Sequence, residues 1–369
     1  MPRNFALRVL FAVFVLSALP ALGADSGHKV ILLLIDGLRW QDVMRGADPT
    51  LMNKENGGVQ DVNSLAKRFW REDPIERRAA LMPFLWNVVA RQGQVYGDRD
   101  VNSAMRVENT FHFSYPGYSE MIVGYADPRI DTNQPLPNPN VSVFEWLNTL
   151  NPYKNKVAVF GAWDVVRAIV NPVRSKLRVN VGVDPVDFGK KTATQELLNK
   201  LKKDVPAPWG TEPYDALTFY SALEYIKADK PRAVWITFGE TDEFAHAGRY
   251  DQYLDAAYRT DNMLRTLWET LQSMPEYKDK TTLIFSVDHG RGFGLKDWTG
   301  HGASIPGADQ TWLAILGPRT KPLGVRRNIP EGTTSMIAAT VAASLGENWN
   351  KQEPKAARPI PDAVEEAAK

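Results

Sequence analysis

The 369-residue sequence contains no cysteine. That absence excludes disulfides, thiol nucleophiles and thiolate ligands, so any metal must sit on Asp, Glu, His or hydroxyl oxygen. Histidine is scarce as well, with five in the whole chain. Charge of one sign is missing: 44 Lys and Arg stand against 43 Asp and Glu, a formal net charge of +1. With no basic run either, nothing supports a nucleic-acid partner held through backbone phosphates, and no nucleic-acid binding is expected. Beyond the first two dozen residues no apolar run approaches the roughly 20 residues of a membrane span, and no repeat recurs at a period of about 20 to 50 residues. What is present is ordinary globular material, 44% hydrophobic and 24% charged, enough for a large core.

Arg3 and Arg8 precede an apolar run of 14 residues, Val9 to Leu22, broken only by Ser17 and Pro20 and followed by the small residues Gly23 and Ala24. This reads as a secretory signal peptide over 1–24. The competing reading is an uncleaved anchor, for which the run is short. The expectation is therefore export to a periplasm or the outside, with no stable membrane anchor. Removal takes two arginines and no acid, moving the formal charge from +1 to −1. Residues 25–349 are expected to form a single domain, and the charged, Ala- and Pro-containing segment 350–369 a mobile tail.

Lys29-Val-Ile-Leu-Leu-Leu-Ile35, ending in Asp36-Gly37, has the continuous apolar pattern of a strand buried on both faces. Similar runs occur at Lys156–Phe160, Ala233–Phe238, Thr281–Val287 and Trp312–Leu316. Helical spacing marks Arg78–Arg91, Thr192–Lys203, Tyr214–Lys227 and Tyr250–Leu271. Alternating strands and helices predict an α/β fold, a largely parallel central sheet with helices on both faces. The stretches Asp127–Asn140 and Lys176–Gly189 read as loops.

In such a sheet, ligands bind beyond the carboxyl ends of the strands. Asp36 ends the first run, Asp242 lies four residues past Phe238, and Asp288-His289 follows the run from Thr281. Asp242 and His246 are four apart, which stacks them on one helical face, equally suited to an ion pair or to a metal. His301 stands between Gly300 and Gly302. Each motif alone is weak, but three of only five histidines fall in these contexts, and together they point to a shared metal site. Ser114 precedes Pro116 and the apolar Met121-Ile122-Val123, where a helix can begin. A hydroxyl there faces the positive end of the helix dipole, which suits attack on an anionic centre, although an ordinary capping serine has the same pattern.

Together these residues resemble the alkaline phosphatase superfamily, which includes alkaline phosphatases, nucleotide pyrophosphatase/phosphodiesterases, cofactor-independent phosphoglycerate mutases and sulfatases. The resemblance runs from Val30 to about Leu345 and is nearest to the phosphodiesterase-like branch, whose nucleophile segment is similar to Ser114-Tyr-Pro-Gly-Tyr-Ser-Glu-Met-Ile-Val-Gly124. It implies two divalent cations, zinc first and manganese second. Asp242, His246 and His301 would hold one; Asp36, Ser114, Asp288 and His289 would hold the other. Thr333–Gly346 resembles the closing helix of the family.

The implied activity is hydrolysis of a small phosphate ester, monoester or diester, through a phosphoserine at Ser114. Tyr115 (through its backbone N–H) and Asn133 are candidate contacts to the substrate oxygens, and Arg106, Arg129 and Arg291 are candidate cations for them. Tyr118 stands where the formylglycine motif of sulfatases has Arg. A sulfatase-like hydrolase with unmodified serine and a non-catalytic metal- or phosphate-binding protein are the alternatives.

Overall fold

A computed structural model describes residues 27–365; the expected signal peptide and the last four residues of the tail lie outside them. Eight strands form the central sheet: β1 (Lys29–Ile35), β2 (Gln94–Tyr96), β3 (Val157–Gly161), β4 (Arg178–Val181), β5 (Ala233–Phe238), β6 (Thr281–Ser286), β7 (Leu313–Leu316) and β8 (Gly324–Val325), in the order β8-β2-β7-β6-β1-β5-β3-β4. Only β7 runs against its neighbours. The fold is thus the α/β arrangement expected, with β1 at the centre between β5 and β6.

β1 is buried at every position because both faces of the sheet are covered. Ile31, Leu33 and Ile35 enter one apolar cluster, with Phe238, Tyr253 and Leu264. Val30, Leu32 and Leu34 enter the other, with Tyr118, Ile122 and Trp235. Burial on both faces removes the need for alternation, hence the uninterrupted apolar runs. Among the described residues no helix is long and apolar enough to cross a membrane.

The structure departs from the expected elements at four places. The helix over Arg78–Arg91 is divided into Pro74–Leu81, a π-helical turn at Leu85–Val89 and a last turn at Ala90–Gln92. Pro83 cannot continue the ladder, and the N–H groups of Phe84 and Leu85 instead reach the buried carboxylate of Asp261, at 2.6 and 2.9 Å. The Lys176–Gly189 loop contains the edge strand β4. The run at Trp312–Leu316 is antiparallel. The tail is packed as far as Ala363: Ala356, Ile360 and Ala363 are buried in the core, and Ile360 N–H donates to Thr340 Oγ1 at 2.9 Å.

Candidate metal centre and nucleophile pocket

Parallel pairing in register makes the site. Ile35 lies beside Phe238 and Leu34 beside Ser286, so the chain leaves β1 at Asp36 next to Gly239 and close to Asp288. The helix Glu240–His246 starts at once after β5 and carries Asp242 and His246, whose Oδ2 and Nε2 are 3.0 Å apart. Gly37 turns the chain with φ +58°, and a Cβ there would lie 2.7 Å from Asp242 Oδ1; glycine is what lets the turn approach the cluster.

Two triplets result, Asp242–His246–His301 and Asp36–Asp288–His289, and within each the candidate ligand atoms lie within 4.8 Å of one another. His246 Nε2 and His301 Nε2 face each other at 3.0 Å. His289 Nε2 lies 3.2 Å from Asp36 Oδ1 and 3.3 Å from Asp288 Oδ2. The rings of His289 and His301 stack with centroids 4.0 Å apart, which joins the triplets into one centre.

The groups behind the two triplets hold them in place. His289 Nδ1 is 2.9 Å from the Gly290 carbonyl and His301 Nδ1 is 3.1 Å from the His112 carbonyl. A carbonyl only accepts, so each Nδ1 carries the proton and each neutral ring turns an unprotonated Nε2 to the centre. Burial lowers both rings, to about 4 for His289 and about 3 for His301, which keeps them neutral. Tyr118 donates its hydroxyl to Asp36 Oδ2 at 2.8 Å, and Gly37 N–H donates to Asp288 Oδ1 at 3.2 Å.

Burial and then the charge of Asp242 push Asp36 up to about 7. Burial and then the charges of Asp36 and Asp242 also push Asp288 well above the usual carboxylate range. For Asp242 burial acts in the same upward direction but is outweighed by Arg291 and His246, which hold it below the usual carboxylate range. His246 is raised, first by its hydrogen bond to Asp242.

Asp36 Oδ1, Asp288 Oδ2 and His289 Nε2 are buried without a hydrogen-bond partner. Three orphaned donor atoms turned toward one another are costly unless a cation satisfies them. The donor set, imidazole nitrogen with carboxylate oxygen, fits zinc or manganese.

Ser114 opens the helix Ser114–Val123 at its first residue. Gly117 lets this helix lie against the end of β6, since a Cβ there would be 2.4 Å from the Asp288 carbonyl. The cavity in front of Ser114, of about 230 Å³, is lined by Asp36, Asp242, His246 and His301, and also by Asn133, Trp163, Glu212, Gly239 and Glu243. Asn133 thus comes to the pocket as the sequence suggests, and its Oδ1 accepts the Tyr115 N–H at 2.9 Å. That contact occupies the Tyr115 amide expected to face substrate.

Arg291 is a correction. Its guanidinium is buried behind the centre, where Nη1 pairs with Asp242 Oδ1 and Nε donates to the Trp298 carbonyl at 3.1 Å. It holds the Asp242 carboxylate and is not among the residues that line the cavity. Arg106 pairs with Glu331 and Arg129 with Asp127, and among the described residues no Lys or Arg side chain lines the cavity.

Glu212 and Tyr118 were not legible as site residues. Glu212 lies in a stretch without periodicity, and burial pushes its carboxyl well above its usual range, with Asp215 and Glu243 adding to the effect. Tyr118 is four residues after Ser114, a spacing that signals only a shared helix face.

No protein-family model and no curated protein sequence matches the chain. Solved structures do resemble it. A protein of the alkaline phosphatase superfamily from Vibrio parahaemolyticus is 12% identical with a TM-score of 0.51, covering 87% of this chain and 67% of that one. The lipoteichoic acid synthase LtaP from Listeria monocytogenes is 11% identical (TM-score 0.55; 88% and 74% covered). A phosphonate monoester hydrolase from Silicibacter pomeroyi is 14% identical (TM-score 0.51; 93% and 78% covered). A putative sulfatase from Bacteroides thetaiotaomicron is 11% identical (TM-score 0.56; 92% and 73% covered). At these identities the likeness establishes the fold, an alkaline phosphatase-like α/β sheet.

Proposed function

We propose that the chain is an exported, metal-dependent hydrolase of small phosphate esters, monoester or diester, with Ser114 as nucleophile. The observation that carries this reading is the pair of Asp/His triplets, with three orphaned buried donor atoms, beside a serine at a helix N-terminus. Asp242, His246 and His301 would hold one divalent cation and Asp36, Asp288 and His289 the other, with the Ser114 hydroxyl completing the second set. Bound there, the cations supply Lewis acidity and the positive charge that an anionic ester needs.

The protein's own groups do the rest. Ser114 Oγ loses its proton and attacks phosphorus in line; the bond to the leaving group breaks as the phosphoserine bond forms, the departing alkoxide takes up a proton to leave as the alcohol, and water later cleaves the phosphoserine bond to release phosphate or its monoester and restore the hydroxyl. Asn133, its Oδ1 held by the Tyr115 amide, keeps its Nδ2 group as a donor to a non-bridging oxygen. Tyr118 and Arg291 fix the two ligand carboxylates they touch, and the Gly290 and His112 carbonyls hold the imidazoles in the ligating tautomer.

The same geometry suits a sulfate ester, and a sulfatase is among the structural neighbours, so the test compares substrates. Metal content by mass spectrometry is paired with rates on aryl monophosphate, aryl phosphodiester and aryl sulfate. The expected result is two metals per chain, phosphoryl turnover, and a Ser114→Ala variant that keeps its metal but loses turnover. A metal-free protein, or full activity in Ser114→Ala, overturns the reading. Turnover of the sulfate alone reassigns the ester.

A further inference from the structure

The cavity before Ser114 has a neighbour. Three chain segments that line it also line, one or two residues away, a second cavity of about 490 Å³: Asn133 faces the first and Pro135 the second, Trp163 and then Asp164, Glu212 and then Thr211. Its volume is that of a small-molecule site, ~300–1,000 Å³.

The two cavities differ in chemistry. The first is walled by carboxylates, imidazoles and amide; the second mostly by proline and valine, with Asp164, Asn171, Thr211 and the Arg167–Asp184 pair as its polar members. Its one arginine, Arg167, is already paired with Asp184, so the groove offers no free cation to a second anionic group. Val173 is 81% exposed, Val183 46% and the adjoining Leu136 57%, so apolar surface stands open beside the nucleophile pocket.

The proline-bearing wall is anchored. The Tyr115 hydroxyl donates to the Leu136 carbonyl at 2.5 Å, Asn138 Nδ2 donates to Ser119 Oγ at 2.9 Å, and Asn138 N–H donates to the Ala168 carbonyl at 3.0 Å. The helix that carries Ser114 therefore also sets the position of the groove.

From this adjacency we propose that the groove is the subsite for the organic group of the ester, and that this group is apolar and uncharged, an alkyl chain or an aryl ring. The inference rests on the ester-hydrolase reading and names the substrate class for the same site. Apolar burial in the groove discriminates substrates by chain length, roughly two- to fourfold per methylene, the upper figure being ~0.8 kcal/mol of transfer free energy expressed as a ratio.

The test uses the metal-loaded protein and alkylphosphonates from methyl to octyl, each with one organic group, measured by calorimetry or as inhibitors of turnover. Affinity is expected to rise two- to fourfold per carbon until the groove is filled. Val183→Asp and, separately, Val173→Asp are expected to flatten that slope; the octyl-to-methyl ratio within each variant is its own control for folding. If methylphosphonate and inorganic phosphate do not bind at all, the ester-hydrolase reading has failed. If methylphosphonate binds but the series is flat, the groove assignment alone is overturned. Tighter binding of a 2-aminoethyl or dihydroxypropyl phosphonate than of the alkyl analogue of equal length also overturns it, in favour of a polar substrate.

Discussion

Glu120 tests how the nucleophile helix is held. It lies six residues after Ser114 on the same helix and is 1% exposed. Its Oε2 accepts from Glu108 N at 3.1 Å, Asn109 N at 2.8 Å and Asn109 Nδ2 at 2.8 Å, while Oε1 accepts from Glu108 N at 2.9 Å and from the Thr334 hydroxyl at 2.5 Å. The two substitutions Glu120→Ala and Glu120→Gln should separate widely.

Alanine strands the two buried N–H donors of Asn109, each costing about 1–3 kcal/mol, and the part-buried N–H of Glu108. Partial rehydration through the new cavity leaves an expected loss of about 3–5 kcal/mol. Glutamine can keep its oxygen at the Oε2 position and turn its NH₂ toward the Thr334 and Ser335 hydroxyls, which rotate to accept, so it should cost only about 1–2 kcal/mol.

The consequence reaches the candidate metal centre. The Asn109 Oδ1 held in this cluster accepts the His112 N–H at 2.9 Å, and the His112 carbonyl orients His301. Urea unfolding of the metal-free protein gives the stabilities, and chelator competition gives zinc affinity, expected to weaken roughly tenfold or more in the alanine variant. Equal losses in the two variants, or a loss below about 1 kcal/mol for alanine, would refute the argument that these donors depend on Glu120.

Two further outcomes follow from buried groups. Tyr118→Phe removes the hydroxyl that donates to Asp36, and zinc affinity should fall about tenfold, with its pH midpoint displaced upward because Asp36, already at about 7, loses a donor that favoured its ionised form; affinity within twofold of the parent rules the contact out as a positioning one. Asp261 is pushed from 3.8 to about 7, by burial against the opposing N–H groups of Phe84 and Leu85. The folded protein thus binds this proton more tightly than the unfolded chain, so its contribution to stability is greatest below about pH 4, declines up to about pH 7 and then levels off. Between pH 4.5 and 7.5 metal-free parent protein should lose about 2–3 kcal/mol relative to Asp261→Asn, and a pH-independent difference between the two contradicts the shift.

Much of the centre was legible because strand ends are local features. Continuous apolar runs at Lys29–Ile35 and Ala233–Phe238 mark strands buried on both faces, and their bounds are those observed. A parallel sheet brings the polar residues just beyond such runs to one edge, so Asp36, Asp242 and Asp288 could be named before their distances were known. The division of the Arg78–Arg91 helix was less accessible. Pro83 signals the break, but the carboxylate of Asp261 that receives the freed N–H groups is far away in sequence.

What the sequence by itself determined is the order of strands and helices, the residue types available for chemistry, and the glycines that permit close approach. Periodicity and strand-end chemistry are written within a few residues of each other. Tertiary structure alone decided which charges meet. It placed Arg291 behind Asp242 rather than before substrate, brought Glu212 and Trp163 to the pocket, packed Ile360 and Ala363 of the tail into the core, and set an apolar groove beside the acidic centre. Each of these depends on a pairing between distant segments, and it is the packing of whole elements that makes burial and charge act between residues the chain keeps far apart.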